Sequence, residues 1–372
     1  MKTLDITQNV DFLKTSPMFN FSLGSKELFH SNFLAWFVEE YPVSASHVLN
    51  TFCIEDDIPR DIINVARERK NKDLTIYFSD NSSLIVENKV KSIPSLEQLS
   101  RYSKDCKGMP GKTSFLLLSL MRPLFVLPKP WQYMNYGDLS NLIEKEIVYI
   151  ENSYHKEIVY DYVRMVKALH TLVQEIHVAD EDLYNFCEDG IHIIFREIRI
   201  GDLYHKLRFQ LFALRIETML KESFPESIFS IGDREGEKVA GQFYINIGMT
   251  RGQGLVEVAY MIIPGLFITI QIQDNHYKQM VQGYAGYGTD AKRVAKILKE
   301  HEWWFNFVQI QHKKEYPKDI NSFNKYGTTD FYRSVSLDNS VTVRDIIYSI
   351  VSDIRTLKQQ EGNIKAILPK RI

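Results

Sequence analysis

Cysteine is scarce in this chain, with three among 372 residues: Cys53, Cys106 and Cys187. They are far apart and odd in number, so they form neither a disulfide framework nor the paired spacing of a zinc site. A reducing compartment is expected. Cys187 has no histidine pattern around it that would mark a nucleophile, and it reads as a packed thiol. No run of about 18 apolar residues occurs, which excludes the usual membrane-spanning helix. The opening stretch, MKTLDITQNVDFLK, has no continuous apolar core of the signal-peptide kind, so a cytoplasmic protein is expected. Strong charge of one sign is lacking too. The formal net charge is −2, so nucleic-acid binding would have to rest on local basic patches. Internal repeats and low-complexity tracts are absent.

What is present fits a soluble globular protein: 44% hydrophobic residues, 25% charged residues and a length sufficient for two or three domains. Basic clusters occur at Arg67-Glu68-Arg69-Lys70-Asn71-Lys72, at Lys89 and Lys91, and at Arg101, Lys104 and Lys107. Such clusters are commonly solvated faces, but these flank an unusual hairpin. Residues 25–40 read as a helix with Phe29, Phe33, Trp36 and Phe37 on one stripe. Glu27 lies on a neighbouring, largely apolar line, where a carboxylate needs a partner to offset its burial. Residues 42–66 read as a helix and a connection. Strands follow near 73–78 and 84–90, then a helix near 96–106. An almost continuous apolar run at 113–120 reads as a buried strand. A short strand at 131–136, a helix from an Asp138 N-cap to about 147 and a long helix at 156–176 complete an α/β layer with a mixed sheet.

The hairpin DLTIYFSDNSSLIVENKV carries the chemistry. Side chains alternate between faces along a strand, so Glu87 and Lys89 share one face. With the turn centred on Asn81, Asp73 faces Lys89, Thr75 faces Glu87, and Asp73 and Glu87 are diagonal neighbours able to reach one ion. Leu74, Ile76, Phe78, Leu84, Val86 and Val90 make the opposite, apolar face. A slip by one residue would move Asp73 to that face. Two carboxylates with waters and a phosphate suit Mg²⁺, and Lys89 would orient water or offset charge at phosphorus. The bland alternative is an exposed Glu–Lys pair, a common and weak surface feature.

The segment of about 20–135 resembles the PD-(D/E)xK nuclease superfamily. That core has an early helix with a glutamate, a strand opening on Asp, a strand ending in Glu-x-Lys and a following helix. The likeness is carried by Glu27-Leu28-Phe29-His30-Ser31-Asn32-Phe33-Leu34-Ala35-Trp36, by Ile85-Val86-Glu87-Asn88-Lys89, and by Gln98-Leu99-Ser100-Arg101-Tyr102. It is closest to a bacterial branch with ENK and QLxRY motifs. The resemblance implies a restriction-endonuclease-like fold and a metal-dependent nuclease acting on DNA, with a role in bacterial defence against foreign DNA. Asp73 and Glu87 would hold Mg²⁺, for which Mn²⁺ would substitute. Lys89 would be the catalytic lysine, Glu27 an additional acid near metal-bound water, and Gln98 a site-lining residue. The branch usually carries Gly-Arg-x-Asp before the second strand. Here Asn71-Lys72-Asp73 follows Arg69-Lys70, leaving Lys72 or Arg69 to serve.

Accessory positions have structural rivals. Gln98 stands three residues after Ser95, the spacing of a capping box. Tyr102 suits packing as well as nucleic-acid contact, Arg101 is a candidate substrate contact, and His30 reads as a packed histidine. RNA is an alternative substrate, and a catalytically inactive binding protein is the alternative from another class.

The expected organisation is a nuclease-like domain at 1–176, a helical connector at 177–225 and a C-terminal α+β domain at 226–372. The last has an antiparallel sheet from FYINIGM, LVEVAYMII and LFITIQIQ, a Pro264-Gly265 turn, helices near 289–302 and 342–360, and a strand in WWFNFVQIQ. A helix is also expected at 201–223. The glycines from Gly283 to Gly288 read as a turn-rich loop rather than a strand-to-helix phosphate cradle. Trp303 and Trp304 suit a core better than base stacking. This domain would select the nucleic acid, bind a partner protein or mediate homo-oligomerisation.

Overall fold

The computed structural model describes residues 4–24, 26–52, 60–69, 71–90, 92, 94–107, 111–184, 190–231, 239–250, 253–284, 288–310, 312–317, 319 and 321–368. Two compact units emerge: Met1–Ile176 with Gly190–Tyr204, and His177–Asp189 with His205–Ile372. Cys53, Lys70, Lys91 and Cys187 lie outside the described residues. Among those described, no helix is long and apolar enough to cross a membrane.

The first unit starts with helices α1 (Leu4–Thr15), α2 (Pro17–Ser22), α3 (Lys26–Glu40) and α4 (Pro42–Leu49). Its sheet runs β1 (Ile62–Arg69), β2 (Lys72–Phe78), β3 (Ser83–Lys89), β4 (Thr113–Ser119) and β5 (Trp131–Asn135) in spatial order. The first three strands are antiparallel and the last three parallel, so the sheet is mixed. Helix α5 (Leu96–Asp105) links β3 to β4. Helices α6 (Tyr136–Glu146), α7 (Ser153–Gln174) and α8 (Gly190–Glu197) follow. Both faces of the sheet are covered, which is why β4 is apolar almost without interruption. Leu74, Val86 and Leu116 share a small void with Phe37 of α3, Val48 of α4 and Ile143 of α6. Ile85, Phe115 and Leu117 pack with Leu99 and Tyr102 of α5.

Three expectations are corrected here. Residues 62–69 form a strand, not part of a helix and connection. This strand is at the sheet edge, and exposed Arg67, Glu68 and Arg69 mask its period. Helix α6 is capped by Asn135, whose Oδ1 accepts from the Asp138 amide at 2.8 Å. Asp138 instead accepts from Asn135 Nδ2 at 2.6 Å. The hairpin pairs Leu74 with Val86 and Tyr77 with Ser83, which centres its turn on Asp80 rather than Asn81. Asp80 holds that turn by accepting from the Ser82 amide at 2.9 Å and by pairing with Arg60 at 2.9 Å.

In the second unit, α9 (Gly201–Ser223), whose first residues belong to the first unit, precedes β6 (Phe229–Ile231), β7 (Phe243–Thr250), β8 (Gln253–Ile263), β9 (Leu266–Gln273) and β10 (His276–Gly283). Then come α10 (Gly288–Glu300), β11 (His312–Tyr316), β12 (Asn324–Tyr326), β13 (Asp330–Leu337) and α11 (Val343–Ile367). The sheet order is β11-β13-β10-β9-β8-β7-β6, with β12 added to β13. Every pairing is antiparallel except β6 with β7. Gly265 takes the positive φ of 86° that the β8–β9 turn requires.

Two further corrections belong to this unit. The described residues 303–310 are turns and bends rather than a strand. Phe305 and Phe307 adopt positive φ, and Trp304, Phe305 and Phe307 are buried from an irregular segment. The glycine-rich segment does follow a strand and precede a helix, joining β10 to α10. Its residues 285–287 lie outside the described residues. Strand β10 escapes sequence reading because its pattern, HYKQMVQG, is polar although mostly buried.

Candidate active site

Asp73 opens β2, and Glu87 and Lys89 close β3. The register Leu74–Val86, carried one residue further, sets Asp73 directly across from Glu87 instead of diagonally. The turn shift of one position moves the pairing by two residues. Strand parity is therefore preserved, and all three side chains keep a common face. This face is not an exposed one. Glu87 is 1% exposed, and Thr75 and Ile85 beside it are buried.

The two oxygens of Glu87 have unlike surroundings. Oε1 pairs with Lys89 Nζ at 2.6 Å and accepts from Gln98 Nε2 at 2.7 Å. Oε2 is buried and has no hydrogen-bond partner. Asp73 Oδ2 accepts from the Asn88 amide at 2.7 Å. Burial pushes the Glu87 carboxyl up to about 7, with Lys89 opposing and Asp73 adding to the rise. Asp73 is also raised, chiefly by burial and despite the Asn88 amide. Burial would lower the Lys89 ammonium, but Glu87, Glu27 and Asp73 together raise it above its ordinary value. Its acidic neighbours therefore favour the protonated ammonium.

Glu27 sits in the first turn of α3, near the end of β3. Its Oε1 accepts from the Ser92 amide at 2.7 Å and the Ser92 hydroxyl at 2.6 Å. It adds negative charge that is felt at Asp73, Glu87 and Lys89. The Gln98 backbone amide donates to the N-cap Ser95 at 3.4 Å, while its side chain reaches Glu87 and donates to Tyr102 Oη at 2.9 Å. Half of a capping box thus coexists with a site residue. Tyr102 is 3% exposed in the core and donates to the Asn71 carbonyl, so its visible task is to orient Gln98. Arg101 is exposed with its guanidinium 5.5 Å from the Tyr102 ring centre. Arg69 is exposed at the end of β1, opposite Lys72, which is buried. His30 is buried against Tyr162 at 3.0 Å, and desolvation pushes its imidazole down to about 3.

Residues 18–164 match the family model of the PD-(D/E)XK nuclease superfamily. This segment is similar to that superfamily. No curated protein and no solved structure matches the chain. The succession of β2, β3 and α5 is what sets the acids, lysine and glutamine together here.

Asn88 is the residue whose role escapes sequence reading. It points to the face opposite Glu87 and is fully buried. Its Nδ2 donates to the Glu27 carbonyl at 2.9 Å and to Ser31 Oγ at 3.1 Å, and its Oδ1 accepts from the Tyr136 hydroxyl. It thereby ties β3 to α3 and α6. The available signal is an amide standing on an otherwise apolar strand face.

The donor set fits a divalent cation. Two carboxylates face one another across adjacent strands, and one buried oxygen, Glu87 Oε2, lacks a partner. Among the described residues no group of three or more His, Cys, Asp or Glu side chains forms a metal cage. A site of two acids completed by waters and phosphate is the pattern of Mg²⁺ rather than of an all-protein cage.

Proposed function

We propose that this chain is a metal-dependent nuclease whose centre is Asp73, Glu87 and Lys89, with DNA as substrate and defence against foreign DNA as its role. The observation that carries the reading is the orphaned Glu87 Oε2 on a residue directly across the strand pair from Asp73, with Lys89 bound to the other oxygen. Asp73 and Glu87 would hold Mg²⁺ or Mn²⁺. When bound, such an ion supplies charge stabilisation at phosphate oxygens and lowers the pKa of water. Lys89 remains protonated and presents positive charge where negative charge grows on the phosphoryl group. Glu27 places a further acid beside the end of β3, and Gln98 fixes the Glu87 carboxylate so that its free oxygen keeps its aim. Arg69 and Arg101 are exposed cations suited to the phosphate backbone, and their contribution should weaken with added salt.

The test is digestion of plasmid DNA, with single-stranded RNA alongside, in Mg²⁺ or Mn²⁺ and in EDTA. Wild type should cut only with metal. Lys89→Ala should slow cleavage about 10²–10³-fold, the usual effect of losing one transition-state charge partner. Asp73→Ala should abolish both metal binding and cleavage. Equal cutting in EDTA, or by Asp73→Ala, would overturn the reading.

A further inference from the structure

The sheet of the second unit has two unlike faces. Helix α10 packs on β10 and β13, and α11 contacts β8. The other face carries a polar row. The register sets Asn246 beside Glu257, Glu257 beside Gln271 and Gln271 beside Lys278, across four adjacent strands. Each is more than nine-tenths buried: 5%, 7%, 6% and 6% exposed. Four such side chains in one row are costly unless something satisfies them.

Three of the four are linked. Lys278 Nζ donates to Gln271 Oε1 at 3.1 Å and to Tyr326 Oη at 2.6 Å, and it also reaches Gln273. Gln271 Nε2 donates to Glu257 Oε2 at 3.0 Å. Asn246 ends the row, and its Oδ1 is buried without a partner. Above the row lies a cavity of about 470 Å³, lined also by Tyr244, Phe267, Tyr326 and Asp330. That size suits a small-molecule site.

The lining selects a ligand class. Asn246 Oδ1 and the carboxylates of Glu257 and Asp330 are acceptors, and among the described residues that line the cavity there is no lysine or arginine. Lys278, at the other end of the row, is engaged by three acceptors. An anionic phosphate would be repelled. A planar group with N–H donors would satisfy the orphaned oxygen and lie against the rings. We propose that this cavity binds an uncharged nucleobase bearing an exocyclic amine, which donates to Asn246 Oδ1 and Glu257 while the base lies against Tyr244, Phe267 or Tyr326. The base is supplied either as a free nucleoside or by extrusion from a polynucleotide strand. Only the second source rests on the nuclease reading, where the cavity would choose the cleaved strand.

Calorimetry of the full chain in EDTA, where cleavage is not expected, tests this with adenosine, guanosine, cytidine, uridine and thymidine, and with short single-stranded oligonucleotides. At least one amine-bearing nucleoside should bind at least tenfold more tightly than uridine and thymidine, because these offer one ring N–H where the amine offers two, and so leave either Asn246 Oδ1 or Glu257 unsatisfied. Oligonucleotide binding with the same base preference identifies the extruded base, and nucleoside binding alone identifies the free ligand. Asn246→Leu and Glu257→Gln should each weaken binding about tenfold or more. The comparison of bases on wild type decides even if a variant does not fold. Asp73→Ala should bind as wild type does, whether or not the first unit cleaves. Absence of binding at millimolar nucleoside and oligonucleotide, or equal binding of cytidine, adenosine, guanosine and uridine, overturns the proposal.

Discussion

Glu87 combines a hydrogen-bonded oxygen with an orphaned one, and burial governs its response to pH. Its folded carboxyl is raised to about 7 from an ordinary 4.5, mainly by burial. A raised carboxyl favours the protonated folded state, so its contribution to stability is full below about 4.5. That contribution is lost as pH rises through about 7. A cation requires the ionised form, so the sign for metal binding is the reverse. Mn²⁺ affinity should fall about tenfold per pH unit well below 7 and level off above it. Titration calorimetry between pH 5.5 and 8.5 would measure this. A flat profile would remove Glu87 from the ligand set, and Glu87→Gln should abolish the pH-dependent component.

At the scale of elements, the site depends on how one helix meets one strand end. Glu27 is held near β3 because Asn88 grips the Glu27 carbonyl and Ser31, while its own amide holds Asp73. Asn88→Ala would take from the buried Tyr136 hydroxyl of α6 its acceptor, at roughly 1–3 kcal/mol, and take the Asn88 donor from the Glu27 carbonyl and Ser31 of α3, which keep their bond to each other. We expect a loss of roughly 2–4 kcal/mol in urea unfolding, together with weaker metal binding. Unchanged stability would show that water replaces the amide. The identity of α3, α5, β2 and β3 was legible in the sequence because their periods are strong. Edge strand β1 was not, since charged side chains on its exposed residues hide the alternation. Nor was the irregular segment after α10, where buried aromatics imitate a strand without its hydrogen bonds.

At the scale of the whole molecule, the chain passes between the two units three times, after Ile176, Asp189 and Tyr204. Each unit carries carboxyls raised by burial: Asp73 and Glu87 in the first, Asp330 and Asp353 in the second. In the second, Asp353 accepts from Tyr277 at 2.7 Å and Gln279 at 2.7 Å, yet burial lifts it to about 6 from 3.8. Its contribution is full below about 3.8 and lost as pH rises through about 6, a lower window than that of Glu87. Urea unfolding followed from pH 4 to pH 8 should therefore show falling stability in both windows. Asp353→Asn should make the slope below pH 6 shallower, where the two windows overlap, and leave the slope between pH 6 and 7 as it is. If the slope between pH 4 and 6 is as steep in that variant as in wild type, Asp353 does not contribute to it.

Chain composition and strand periodicity by themselves determined that Asp73, Glu87 and Lys89 share a face, because side-chain alternation has a period of two and tolerates the two-residue error in the expected pairing. They also determined that a helix carrying Gln98 follows the acids. Tertiary structure alone decided that Asp73 stands directly across from Glu87, that Gln98 and Lys89 occupy one oxygen and leave the other bare, and that Asn88 locks α3 in place. These depend on contacts between residues distant in sequence, where the competition among partners and water leaves no local pattern to read. The same holds for the polar row of the second unit. Its asparagine, glutamate, glutamine and lysine look like solvent-facing residues until neighbouring strands align them and bury them together.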